Sequence, residues 1–182
     1  DDSWNVHGRN RTFYYAYHPG AQLSLEMASQ GTVSDYKRWT NYETAEVGVH
    51  FTDEKGEWER RTFTSRTDNV TVTSIQPSSN GERVNMTLSV EDISNMSKAY
   101  NGMTKGLEQR YKKLVADDCS YIGLVSKYPS YANSDLKYGG YSTISYVIVE
   151  GGRKEKVMLP ESDKALNVGQ ENNPAIQISD AE

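Results

Sequence analysis

Between residues 84 and 90 the chain reads Val-Asn-Met-Thr-Leu-Ser-Val, so Val84, Met86, Leu88 and Val90 share one parity and Asn85 and Thr87 the other. Successive side chains of a strand point to opposite sides, so this alternation demands an extended segment with one buried and one wet face. A chain that builds its core this way is a sheet protein. Val70 and Val72 repeat the pattern upstream of the turn-rich link Gln76-Pro77-Ser78-Ser79-Asn80-Gly81. The two runs predict a hairpin in which Val70, Val72, Val84, Met86, Leu88 and Val90 are buried while Asn69, Thr71, Asn85 and Thr87 face solvent.

Other segments carry the same signal. Residues 12 to 18 are rich in β-formers and close on Pro19-Gly20, and Leu23, Leu25 and Met27 alternate with polar neighbours. Val47, Val49 and Phe51 run at period two into Asp53-Glu54-Lys55-Gly56, beyond which a β-rich segment with Trp58 and Phe63 completes a second predicted hairpin. Leu107, Tyr111 and Leu114 recur at spacings of four and three, which predicts one helix within residues 97 to 115. Tyr111, Lys113 and Val115 also alternate, so the alternative for residues 110 to 116 is a strand. Residues 119 to 126, 141 to 150 and 154 to 159 are the last expected strands. A single β-rich domain is expected over residues 1 to 160, followed by a polar tail over 161 to 182 that is ordered only if docked.

Composition narrows function more than fold. A net charge of −5 opposes a phosphate-binding surface, so nucleic acid is not an expected partner. Apolar runs such as residues 146 to 149 are far short of a membrane span, and no charged-then-apolar leader opens the chain. Sequons at Asn10, Asn69, Asn85 and Asn95, together with 13 Tyr against 3 Phe, favour a secreted, extracellular glycoprotein. The lone Cys119 works against that reading, and it removes any disulfide or cysteine-based metal framework.

Recognised catalytic spacings are absent: no phosphate loop, no Gly-X-Ser-X-Gly elbow and no His-Glu-X-X-His motif. No cofactor and no metal are expected. Asp117 and Asp118 disfavour a Cys119 thiolate, which leaves that residue as a small buried hydrophobe. The acid pairs Glu57 with Glu59 and Glu43 with Glu46 read as solvated strand faces, although a cleft could turn them to acid–base work. Tyr36, Trp39, Tyr42 and Trp58 cluster in sequence among acids, a mixture that could cage an organic cation. The same four rings could equally be rim or core aromatics.

Trp4, the Tyr14-Tyr15 pair, the segment Leu23-Ser24-Leu25-Glu26-Met27, the successive hairpins and Asp117-Asp118-Cys119 before a late strand together resemble the salivary lipocalins of ticks. That resemblance implies an antiparallel β-barrel with a helix packed outside, and a secreted protein that sequesters a host mediator, a biogenic amine or a lipid. A β-sandwich is the alternative fold. The alternative function is an immunomodulatory or adhesive protein that binds a host protein through surface tyrosines such as Tyr128, Tyr131, Tyr138 and Tyr141. Neither reading is an enzyme.

Overall fold

The computed structural model describes residues 21–92, 111–127, 139–160 and 173–182. Eleven strands lie within them: β1 (Ala21–Glu26), β2 (Ser34–Asn41), β3 (Glu46–Asp53), β4 (Gly56–Ser65), β5 (Val70–Ile75), β6 (Val84–Asp92), β7 (Tyr111–Val115), β8 (Tyr121–Lys127), β9 (Gly140–Tyr146), β10 (Gly151–Met158) and β11 (Pro174–Ala181). They form three antiparallel sheets: β1-β6-β11-β10, β2-β3-β4-β5 and β7-β8-β9, here called sheets A, B and C. Among the described residues there is no closed barrel and no helix.

The architecture is sandwich-like because one face of sheet A meets one face of sheet C. Val84, Met86, Leu88 and Val90 of β6, with Ile176 and Ile178 of β11, join Val115, Ile122 and Leu124 in a single buried cluster. Each such side chain removed from water contributes roughly 1.5 to 3 kcal/mol, which makes this interface the main source of stability. Sheet B joins the cluster at one end only, through buried Trp58 and the partly buried Phe51 and Ile75. Glycine lets two strands approach closely at Gly123, where an added Cβ would lie 2.6 Å from the Thr143 carbonyl oxygen.

Several expectations hold and others are corrected. The β3–β4 hairpin forms as expected, with Asp53 opposite Gly56 across the Glu54-Lys55 turn and Gly56 at a φ of 119°. The hairpin expected from residues 70–75 and 84–90 does not form, because β5 pairs with β4 in sheet B and β6 enters sheet A. Its link is captured by the neighbouring hairpin: the Ser79 N–H donates to the Glu57 carbonyl at 3.0 Å, and the Ser78 hydroxyl to the Lys55 carbonyl at 2.7 Å. The chain is thereby led along β4 instead of turning back on β5. The expected helix is not supported where the structure speaks, since residues 111–115 form β7, the alternative reading, while 97–110 lie outside the described residues. The expected strand at 12–18 and all of residues 161–172 also lie outside them. Residues 174–181, read from composition as part of a tail, are β11, paired on both sides within sheet A.

Candidate functional site

Sheet B holds the four aromatics singled out from the sequence, and the structure does not bring them together. Trp58 is buried, with its indole N–H donating to Asp53 Oδ1 at 2.9 Å and its ring stacked on Phe51 at 6.4 Å. Tyr42 is 93% exposed in the turn after β2. The Tyr36 hydroxyl accepts from Arg38 Nε at 2.6 Å, and the Arg38 guanidinium lies 5.7 Å from the Tyr36 ring centroid. Trp39 pairs with Gly48 and Gly48 with Arg61, a parity opposite to that of the Phe51–Trp58 pair, so the two tryptophans occupy opposite faces of one sheet. A cation cage built from all four is geometrically ruled out.

Trp39 instead lies flat across Gly48. Gly48 is buried, and a methyl group at that position would overlap the indole ring. Absence of a side chain is therefore what seats the indole against the backbone. On the far side of Gly48, the Arg61 guanidinium stands 5.8 Å from the indole centroid and accepts its alignment from a charge-assisted bond to Glu59. That bond and the Glu59 charge raise the Arg61 pKa. Phe63 and Val72, each 39% exposed, continue the same face.

The reverse face of sheet B carries a shallow concavity of about 320 Å³ whose lining includes Arg38, Thr40, Val47, Val49, Arg60 and Thr62. The acid pairs noted in the sequence serve surface contacts: Glu59 holds Arg61, and Glu46 accepts from the Thr44 hydroxyl at 3.1 Å. His50 stands opposite Lys37 and Glu59 on the Trp39 face, whereas His7 and His18 lie outside the described residues.

Sheet C presents a different surface. Its inner face supplies Ile122 and Leu124 to the core, while its outer face exposes Leu114 (44%), Tyr121 (44%), Val125 (47%), Ile144 (73%) and Tyr146 (63%). Register places Leu114, Gly123 and Ile144 in one cross-strand row, and the Tyr121 and Tyr146 rings meet at 4.9 Å beside it. Among the described residues nothing covers this contiguous apolar face. A sequence signal for it existed: residues 121 to 125 are apolar on both parities, which is the mark of a strand that needs partners on both faces.

Electrostatics offer no reaction centre among the described residues. A general acid working near neutral pH requires a carboxyl whose pKa is raised. The two carboxyls with resolved shifts move the other way. Burial alone would raise Asp53, but hydrogen bonds from the Gln30 backbone N–H, the Trp58 indole and the Lys55 backbone N–H, with the Lys55 charge, leave it lowered. Asp118 is lowered by the hydroxyl and backbone N–H of Ser120. No group of three potential metal ligands occurs among the described residues, and none of the described helices could cross a membrane, there being none.

Cys119 is buried, as expected of a small hydrophobe. Asn69 and Asn85 are exposed, and Asn85 is engaged on both sides of its amide: Nδ2 donates to the Arg83 carbonyl at 3.2 Å and Oδ1 accepts from the Asp180 N–H at 3.1 Å. Asn10 and Asn95 lie outside the described residues.

These features define a sandwich-type β domain with no assembled reaction centre among its described residues. Residues 4–179 match the family model of the glycosyl hydrolase family 65 N-terminal domain, and the chain belongs to that family. No curated protein and no solved structure shows a significant match. The family match overturns the likeness to tick salivary lipocalins, which rested on short, widely spaced segments, and with it the reading as a salivary amine or lipid binder or an immunomodulator. It also corrects the expectation of a protein unconnected with enzymes, since the family is a domain of glycosyl hydrolases.

Proposed function

We propose that this chain is the non-catalytic, sandwich-type domain of a carbohydrate-active, glycoside-cleaving enzyme, and that the outer face of sheet C seats it on the part of the enzyme that carries the reaction centre. The observation behind this reading is the group of Leu114, Tyr121, Val125, Ile144 and Tyr146, which no other described residue covers. An apolar face of this kind costs solubility when it stays wet and stabilises an interface when it is covered. The family, whose description is that of an N-terminal domain, supplies the partner to cover it.

The test separates folding from docking. Ile144→Asp combined with Tyr146→Ser leaves the thermal midpoint of the isolated chain within a few degrees of the parent, because both side chains already face water. Titrated against a separately produced catalytic portion, the double variant binds at least about tenfold more weakly. Unchanged affinity would overturn the docking assignment. The isolated chain by itself shows no turnover of glycosides in water or phosphate buffer, and measurable turnover would move the reaction centre into it.

A further inference from the structure

We infer that the Trp39 face of sheet B is a saccharide-binding platform, in which the indole of Trp39 stacks on a sugar ring while Arg61, aligned by Glu59, hydrogen-bonds the hydroxyls at its edge. Recognition of a neutral sugar needs two things: a flat aromatic surface for the apolar C–H face of the ring, and a few rigid donors and acceptors for its equatorial hydroxyls. Sheet B supplies both, from β2 and β4 on either side of β3. Gly48 lets the indole lie flat on β3, and the sheet holds it at a fixed height.

Arg61 pairs directly with Gly48, and its guanidinium lies over the indole, 5.8 Å from the ring centroid, so a sugar on this face meets the ring and the guanidinium together. Its planar fork suits a pair of vicinal hydroxyls, and its bond to Glu59 places a carboxylate acceptor beside that fork. Phe63, two residues along β4 on the same face, offers a second ring surface for the next sugar of a chain. The expected ligand is a neutral oligosaccharide.

The saccharide class rests on the reading of the chain as part of a carbohydrate-active enzyme. The platform lies on sheet B, so binding to the isolated 182-residue chain succeeds or fails independently of docking through sheet C. The probes are maltohexaose, cellohexaose and xylohexaose, each titrated calorimetrically. At least one binds the parent chain; Trp39→Ala lowers its affinity about tenfold or more, and Arg61→Ala lowers it several-fold.

A second readout covers the case in which Trp39→Ala fails to fold. In the parent chain, N-bromosuccinimide oxidises Trp39 before the buried Trp58, and the bound hexasaccharide slows oxidation at Trp39 alone. No binding of any of the three sugars, full binding by a folded Trp39→Ala variant, or oxidation of Trp39 unaffected by a sugar that binds would each overturn the assignment.

Discussion

Asp53 ends β3, and its two carboxylate oxygens gather three N–H groups from separate parts of the chain. Oδ2 accepts from the Gln30 N–H at 2.9 Å, and Oδ1 from the Lys55 N–H and the Trp58 indole, each at 2.9 Å. One buried side chain thereby ties the loop after β1, the β3–β4 turn and the core tryptophan together. Asp53→Ala leaves those donors without an acceptor and costs about 2 to 4 kcal/mol in urea unfolding. The charge also has a pH signature. The folded-state pKa is lowered, so the stabilisation is complete above the unfolded-state pKa and is lost as pH falls through it towards the folded value. Urea midpoints of the parent therefore drop between about pH 5 and pH 2 more steeply than those of Asp53→Asn, which cannot titrate there. Parallel pH profiles would show that the carboxylate is not charged in this role.

At the scale of the element, β6 shows what residue parity is worth. Leu88 is 4% exposed and lies between Leu25 of β1 and Ile176 of β11, so Leu88→Ala costs roughly 2 to 5 kcal/mol through lost burial and the cavity left behind. Thr87 faces the other way but is not free, because its hydroxyl bonds Gln177 Oε1 at 3.0 Å. Thr87→Ala accordingly costs about 1 kcal/mol, the net worth of one hydrogen bond. Val72 of β5 has the parity of a core residue and yet is 39% exposed, so Val72→Ala costs under about 1 kcal/mol. Urea midpoints in the order Val72→Ala, Thr87→Ala, Leu88→Ala, from smallest loss to largest, would match this account; a Val72→Ala loss equal to that of Leu88→Ala would mean that its face of sheet B is covered.

For the whole molecule, the decisive strand is the last. β11 lies between β6 and β10, contributes Ala175, Ile176, Ile178 and Ala181 to the buried set, and meets sheet C through β7. Composition assigns this stretch to a polar tail, because Gln177, Ser179 and Asp180 interrupt the apolar residues. Truncation after residue 172 would strip β6 and β10 of a shared partner and expose the apolar face of sheet A. The shortened chain is expected to lose its cooperative thermal transition and to bind a hydrophobic dye, whereas removal of a true tail would leave the transition in place.

Local patterning was enough to read the strands and their faces wherever both the alternation and the cover were simple. Val84 to Val90 and the Asp53-Glu54-Lys55-Gly56 turn are legible because parity and turn geometry are properties of neighbouring residues. At the candidate platform, Trp39 was legible as an aromatic of interest, but Arg61 and Gly48 were not. Their meeting depends on cross-strand register between β2, β3 and β4, which adds residues from three separate segments to one row. Only the tertiary structure decided which strands pair, that β5 and β6 part into different sheets, that β11 completes the core, and that the other described residues leave the outer face of sheet C open. Those outcomes are set by contacts between segments far apart in the chain, whose free energy no local pattern contains.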